Sequence, residues 1–361
     1  MALKHKNAYE MKPTYKQQGN VGLFDAEMNT AKLNGMGNPL ERLSKVIDFE
    51  MFRERLESGL YKKKMTNAGA KPYDYVLMFK ILVLQRFYHL SDEQTEYQII
   101  DRMSFRNFLG LASGDRVPDQ KTIWSFRDEL TNLQLFDSLF CTFYKLLEAK
   151  GMIMKEGVIV DGSFVEVPRQ RNSHSENEKI KEGKGDELWT SDEEKNKRRH
   201  KDTDARWTKK NNQNYYGYKD HVKVDAKSKF IIKGVTTDAS VHDSRATEML
   251  VNEDDNGQPF SGDSAYIGPA VKKILRKHNM KDRIIKRNTK GKKISKRQDT
   301  INKKNSKTRV RVEHVFGFCE QSLNGMYSRA VGFKRNAAFN TLTNLVYNMA
   351  RYEQIMRLGM K

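Results

Sequence analysis

The chain has 361 residues, a length typical of two or three domains, and its 66 Lys and Arg against 46 Asp and Glu give a formal charge of +20. This charge favours a polyanionic partner, either nucleic acid or an anionic membrane. A secreted or membrane-spanning protein is disfavoured, because the first residues form no apolar signal region and charged residues interrupt the most apolar run, 75–90.

The first part of the chain is predicted to be helical after a polar leader. Residues 1–40 are rich in Gly and Asn and lack sustained periodicity, which predicts a poorly ordered N-terminal arm. Over 41–150, apolar residues recur at spacings of three and four, and cap residues such as Ser91 precede new helices. We therefore predict an all-α domain over 41–150.

The pattern changes at residue 151, where an α/β region begins. Residues 157–161 form a short apolar run that ends in an acid, as a buried strand does. Residues 166–214 are polar, which predicts a surface insertion. Strand and helix patterns then alternate to about 330, which predicts a mixed sheet with flanking helices, and a C-terminal helix is predicted within 331–361.

A basic segment, 281–311, follows the last predicted strand. It holds 14 Lys and Arg and two acidic residues, a net charge of +12. Charge of a single sign favours binding to the phosphate backbone, although most charge runs are solvated surface.

The two cysteines, Cys141 and Cys319, lie in apolar helical patterns without the spacing of metal ligands. We predict that both are buried, reduced thiols of a cytoplasmic protein.

Three acidic residues stand in settings typical of a metal site. Asp161 and Asp263 each follow an apolar run and precede a small residue, and Glu313 lies beside an apolar helical stripe. Three converging carboxylates can hold two divalent metals that promote attack on phosphodiesters. A plainer alternative stays open, because an Asp that ends a strand is usually a turn residue, and Arg309 with Glu313 could form a surface ion pair.

The motifs around these acids are Asp-Gly-Ser at 161–163, Gly-Asp-Ser-Ala-Tyr at 262–266 and Arg-x-x-x-Glu-His-x-Phe-Gly at 309–317. Further characteristic stretches lie at 165–172, 202–210, 216–221 and 237–244. In this order they resemble bacterial DDE transposases of the "insertion sequence five" family, which is related to the "insertion sequence four" group. The resemblance spans roughly 40–350.

This resemblance implies an α/β ribonuclease-H-like catalytic domain over 151–330, preceded by an all-α N-terminal domain for DNA binding and assembly. Asp161, Asp263 and Glu313 would be both the catalytic and the metal-binding residues, with two Mg²⁺ per active site and Mn²⁺ as a substitute. The implied partners are double-stranded DNA, at transposon ends and target sites, and further copies of the chain in a dimer or larger assembly. The implied location is the cytoplasm, at the bacterial nucleoid, with no membrane partner.

The implied activity is binding of terminal inverted repeats, cleavage at the element ends and transfer of 3′-hydroxyl ends to target DNA. Two alternatives stay open: a transposase-derived DNA-binding protein with unused catalytic activity, and a nuclease of the same fold. Related transposases often carry Tyr where Ser306 stands and Lys where Glu320 stands. Lys334, Arg335 or a residue of the basic segment could replace that Lys.

Further residues are predicted to contact DNA from their charge, aromatic character or motif position. Lone histidines near strands are more often structural, and the helix that carries Lys121 fits a core helix as well as a recognition helix. The candidates are Lys121, Arg127, Arg169, Arg171, Arg206, Trp207, Lys209, Lys210, Lys219, His221, His242, Lys292, Lys293, Lys296, Arg297, Lys303, Lys304 and Arg309.

Overall fold

The computed structural model describes residues 22–60, 71–210, 212–288 and 293–359. Within these ranges the N-terminal region is built of α-helices. They are α1 (Asp25–Gly35), α2 (Pro39–Val46), α3 (Arg53–Leu60), α4 (Tyr75–Phe87), α5 (Asp92–Asp101), α6 (Met103–Leu109), α7 (Gln120–Asn132) and α8 (Leu135–Ala149).

Local sequence explains where several of these helices begin. The Asp74 side chain accepts a hydrogen bond from the Leu77 amide at the start of α4, and Ser91 forms a capping box with Gln94 at the start of α5. Helix α4 is buried around most of its circumference and packs against α3, α5, α6 and α7. It is the central helix of this region.

The prediction of a poorly ordered arm over 1–40 is wrong for its described part. Helix α1 lies within it, while residues 1–21 lie outside the described residues. Thr30 of α1 donates to the Met103 sulfur and accepts a hydrogen bond from Asn107 of α6. Because α1 buries none of its residues, it has no apolar stripe from which periodicity could reveal it.

The chain from Val158 onward forms the sheet and the helices around it. The elements are β1 (Val158–Glu166), α9 (His174–Lys181), α10 (Lys195–Arg199), β2 (Arg206–Lys210), β3 (Gln213–Asp225), β4 (Ile231–Asp238), α11 (Thr247–Leu250), β5 (Pro259–Ser261), α12 (Pro269–Lys277), β6 (Lys281–Asp282), α13 (Lys296–Gln321) and α14 (Phe333–Leu358).

The sheet has the order β4-β3-β1-β5-β6, and β2 extends it by pairing with the first half of β3. Strands β1, β5 and β6 run parallel, whereas β3 runs antiparallel to β1 and to β4. This order and these directions, with helices on both faces, are those of the ribonuclease-H-like fold. The predicted fold class is confirmed.

Alternate residues of β1 face opposite sides of the sheet. Ile159 belongs to the large core that also contains α4, α13 and α14, whereas Val158 and Val160 pack with the residues of α11 and α12. Asp161 therefore lies on the side of the sheet that α13 covers.

Helix α14 carries four buried asparagines spaced four residues apart, here called the asparagine ladder (Asn336, Asn340, Asn344 and Asn348), and the last three join the helix to the sheet. Asn336 instead donates to two carbonyls of the loop before α14. Asn340 donates to Thr236 and Asn344 donates to Asp220, both at 2.9 Å. Asn348 bonds both the backbone N–H and the carbonyl of Ile231, at 2.9 and 2.8 Å. The ladder fixes the position of α14 against β3 and β4.

The insertion has a small core of its own, in which Trp189 packs with Ile180 and Leu188 and donates its indole N–H to Glu176. Of the two cysteines, Cys319 is buried as predicted, but the prediction for Cys141 is wrong, because it lies on the exposed face of α8. None of the helices in the described ranges combines the length and apolar character needed to cross a lipid bilayer.

Candidate active site

Two of the three predicted acids lie on neighbouring segments of the sheet. The expectation that a strand ends at Asp161 is wrong, because β1 continues through Asp161 to Glu166 in its pairing with β3, whereas Asp263 does follow the end of β5. Val158 and Ile159 of β1 pair with Phe260 and Ser261 of β5, and the pairing then stops. The same parallel register, continued for two residues, places Asp161 beside Asp263. The charge of Asp263 is near enough to act on Asp161 and to raise the pKa of that carboxyl group.

Asp161 is buried, with 7% of its surface exposed, and its Oδ1 accepts a hydrogen bond from the Gly162 amide at 2.9 Å. Burial raises the pKa of Asp161 to about 6; Arg309 opposes this rise and the nearby charge of Asp263 adds to it. The fold thus makes negative charge at this carboxyl costly.

Arg309 of α13 joins the first acid to the third. Its Nη2 lies 3.1 Å from Asp161 Oδ2, and its Nη1 lies 2.8 Å from Glu313 Oε1. Arg309 and Glu313 are one helical turn apart, so both project from the same side of α13. The predicted ion pair between them exists, but it also contacts Asp161 and is part of the acid cluster.

Asp263 is held by the turn that it begins. Its Oδ1 accepts from the Ala265 amide at 2.8 Å, which caps a single 3-10 turn over Ser264–Tyr266. The Tyr266 ring is fully buried against Gly262, where a Cβ would lie 2.9 Å from the ring. Burial, and then the charge of Asp161, raise the pKa of Tyr266, whose hydroxyl has no hydrogen-bond partner within the described part of the chain.

A second polar cluster lies behind Gly162, on the other face of the sheet. Lys219 Nζ donates to Asp243 at 2.9 Å, and His221 Nε2 lies 2.9 Å from the Thr237 hydroxyl. A Cβ on Gly162 would lie 2.7 Å from His221 Nδ1, so only glycine fits beside this ring. Burial lowers the pKa of His221 to about 4, so the ring is neutral and structural at neutral pH.

The three acids suit a hard divalent cation in chemistry, since carboxylate oxygens are its preferred ligands. Burial is the main cause of the raised pKa of Asp161, and a cation bound beside the carboxylate would offset the cost of its charge. In the ranges that the structure describes, no three His, Cys, Asp or Glu side chains are close enough to enclose an ion. The acids are gathered but not closed around one position, and Arg309 lies between Asp161 and Glu313.

The predicted DNA contacts differ in how far they are free to reach a ligand. Lys219 and His221 are buried in the cluster behind Gly162, and His242 is exposed but caps the turn after it. Arg127 forms a two-point ion pair with Asp92, and Arg206 donates to three backbone carbonyls. The exposed candidates are Lys121, Arg169, Arg171, Trp207, Lys209, Lys210, Lys293, Lys296, Arg297, Lys303 and Lys304, and Lys292 lies outside the described residues.

Two residues of the site, Asp243 and Tyr266, are absent from the sequence-based candidates. Both lie within quoted motifs, Tyr266 at the end of Gly-Asp-Ser-Ala-Tyr and Asp243 in 237–244. Their positions in those motifs were the signal by which the sequence could have identified them as site residues. Their burial against Gly162 and Gly262 follows only from strand register.

Comparison with known families gives two matches that cover most of the chain. Residues 28–129 match the family described as "Transposase domain (DUF772)". Residues 153–349 match the family described as "Transposase DDE domain". Among solved structures, the chain is similar to a piggyBac transposase in a synaptic complex with hairpin DNA. The likeness has 13% identity and a TM-score of 0.43, and covers 91% of this chain and 78% of the other.

Proposed function

We propose, since this chain belongs to the DDE-type insertion-sequence transposases, that it cuts DNA at the ends of its element and joins the freed 3′-hydroxyl ends to target DNA. The chain is a DNA transposase, and its family is metal-dependent. The proposal concerns which residues do the work and in which order the bonds change. Cleavage comes first, because it supplies the 3′-hydroxyl that joining consumes.

In this proposal Asp161, Asp263 and Glu313 hold two Mg²⁺, with Mn²⁺ as a substitute. Metals bound there would polarise the phosphodiester and make the attacking water or hydroxyl more acidic. The observation that carries the assignment is the contact of Arg309 with both Asp161 and Glu313, beside the strand end that bears Asp263.

The three acids differ in how firmly the chain holds their side chains. Asp161 is fixed by the sheet and by the Gly162 amide, and Asp263 by the Ala265 amide. Glu313 is about half exposed on α13 and is held by one ion pair, so it can turn toward a ligand at small cost. Arg309 balances the carboxylates and, as they take up other partners, is free to bind a phosphate.

DNA would be held by basic side chains around this edge. The exposed lysines and arginines of α13 and the insertion would neutralise the phosphate backbone, and the helical region would bind the terminal inverted repeats. Bringing two element ends together calls for at least two copies of the chain, so we propose a dimer or larger assembly on DNA.

The test is DNA cleavage by purified protein on a substrate that carries an element end, with Mg²⁺. Asp161→Asn, Asp263→Asn and Glu313→Gln should each lower the cleavage rate more than about a hundredfold, because each removes a charged ligand oxygen. Asp101→Asn and Glu248→Gln, which change exposed acids, serve as matched controls and should cut at the wild-type rate.

Each possible result has a separate meaning. Triad variants that cut as fast as wild type would overturn the triad assignment. A wild-type protein that cuts without joining is a nuclease of this fold. One that binds ends and never cuts is a transposase-derived DNA-binding protein.

A further inference from the structure

A cavity of about 690 Å³ lies outside the acid cluster, between the helical region, the insertion and the loop that precedes α14. Its walls include Trp124 and Arg127 of α7, Arg199 of α10 and the loop residues Tyr327 and Arg329. It thus combines parts of the chain that are far apart in sequence. None of these residues takes part in the acid cluster.

The cavity carries excess positive charge. Of the arginines that line it, Arg127 is paired with Asp92 and Arg335 with Asp128. Among the described residues, the other three have no carboxylate partner, namely Arg86, Arg199 and Arg329. Such a surface attracts an anionic group.

Arg86 is the strongest indication that a ligand binds here. It is 91% buried, stacks on the Phe339 ring at 4.4 Å and donates to the Leu323 carbonyl. Its Nε has no hydrogen-bond partner in the described ranges, and burial lowers its pKa only to about 10, so it stays charged. A buried cation without a counter-charge is costly, and an anion bound beside it would offset that cost.

Two aromatic rings at the cavity are unusually open to solvent. Trp124 is 47% exposed and Tyr327 is 40% exposed. Arginines with open aromatic rings are the elements that bind unpaired nucleotides, since the cations hold the phosphate and a ring stacks on the base. A base inside a duplex has no free face for such stacking.

The size of the cavity suits one nucleotide. Its volume of about 690 Å³ lies within the ~300–1,000 Å³ range of pockets that hold one small ligand. We propose that this cavity binds an unpaired nucleotide of a DNA strand, with its phosphate at Arg86, Arg199 and Arg329 and its base against Tyr327 or Trp124. The inference rests on the proposed function for its choice of DNA as ligand.

The strand that bears Asp161 connects this cavity to the acid cluster. Tyr327 pairs with Glu166, the last residue of β1 and five residues beyond Asp161. At about 3.3 Å per strand residue, the two sites are roughly 16 Å apart, the rise of about five base pairs. The bound nucleotide would therefore be one that has left the duplex a few positions from the reacting phosphate.

The test measures binding in EDTA, by fluorescence anisotropy, to a blunt duplex and to the same duplex with a flap of six unpaired nucleotides. Tyr327→Ala should weaken flap binding about tenfold, and Arg329→Gln about fivefold, with blunt-duplex binding unchanged. Tyr327→Phe keeps the stacking ring and should bind as wild type does. Arg276→Gln, an exposed arginine on α12, is the charge-matched control.

Equal losses on blunt and flap DNA, or no loss on either, would overturn the inference. Because Arg329 is exposed, its variant tests binding without the risk that the chain fails to fold. The binding test uses EDTA and no triad variant, so failure of the triad assignment leaves its result unchanged, and failure here leaves the cleavage test unchanged.

Discussion

At the scale of single residues, Asp161 shows how the fold prepares an acid for a ligand. The folded protein raises the pKa of Asp161 to about 6, whereas an unfolded Asp titrates near 3.9. The folded chain therefore keeps a proton that the unfolded chain has released. Stability falls as pH rises from about 4 to 6, and the loss persists above that range.

Replacing this acid should have opposite effects without and with metal. Without metal at pH 7.5, Asp161→Asn should raise the melting temperature by about 2–4 °C, because it removes a costly buried charge. At pH 4.5 the difference should shrink toward zero. Mn²⁺ should raise the melting temperature of wild type at pH 7.5, less at pH 5 where Asp161 is protonated, and should not affect the variant.

Differential scanning fluorimetry at these pH values measures both effects, with Asp101→Asn as the exposed control. A variant that responds to Mn²⁺ as wild type does would show that Asp161 is not a ligand. A pH-independent difference would show that its charge is not the cause.

Single residues also show where prediction from the sequence succeeds and where it fails. Motif order was enough to select Asp161 and Glu313, which share Arg309 in the structure, and the catalytic role of these acids and Asp263 stays a prediction. Charge and motif position were not enough to distinguish a basic side chain that is free to bind DNA from one that is already paired with an acid. Arg127 and Lys219 bind Asp92 and Asp243, acids that lie 35 and 24 residues away, and such partners follow only from tertiary packing.

At the scale of elements, the asparagine ladder attaches α14 to the sheet by side-chain hydrogen bonds. Asn348 satisfies both backbone groups of Ile231 at the start of β4, on the side where no strand of the described ranges pairs with β4. Buried backbone groups without partners are costly, so this helix and this strand depend on each other.

Asn348→Ala should lower the free energy of unfolding by about 2–4 kcal/mol, because it leaves a buried N–H and a buried carbonyl unsatisfied. Urea denaturation followed by circular dichroism measures the loss. Asn256→Ala, an exposed asparagine, should change it by less than about 0.5 kcal/mol. Equal effects of the two variants would show that the ladder contributes no more than an ordinary surface residue.

Elements were predicted well where local chemistry is strong. The cap at Ser91 predicted the start of α5, and the apolar run 157–161 predicted the first half of β1, which continues past Asp161 to Glu166. Helix α1 and strand β2 were missed, because α1 buries nothing and β2 consists of polar residues that pair with β3. Neither carries an apolar pattern, so only their neighbours explain them.

At the scale of the whole molecule, the excess of basic residues should set the salt dependence of DNA binding. Each phosphate contact contributes a slope of about −0.9 to the logarithm of affinity against the logarithm of salt concentration. Lys303 and Lys304 are exposed on α13, ahead of Arg309. Changing both lysines to Gln should therefore make the slope of this salt dependence less steep by up to about 1.8.

Electrophoretic mobility shifts over a range of salt concentrations provide the measurement. The matched control is Lys272→Gln with Lys273→Gln, two exposed lysines on α12, and its slope should equal that of wild type. If the slope of log affinity against log salt concentration falls by the same amount in both double variants, α13 has no special part in DNA binding and only net charge matters.

The overall architecture could be predicted only in part. Alternating strand and helix patterns indicated a mixed sheet, and the family resemblance supplied its ribonuclease-H-like form. The place of the helical region could not be read from the sequence, because one apolar core runs from α2 through α4 to the face of β1 and to α14. Such a shared core depends on contacts between distant segments.

Helix α13 also gives the molecule a fixed internal distance. Lys296, its first residue, and Glu313 belong to one unbroken helix and are separated by 17 residues, or about 26 Å at 1.5 Å per residue. Along DNA that length is about seven or eight base pairs. A DNA phosphate bound at the start of this helix would therefore determine which phosphate along the same DNA can reach the acids.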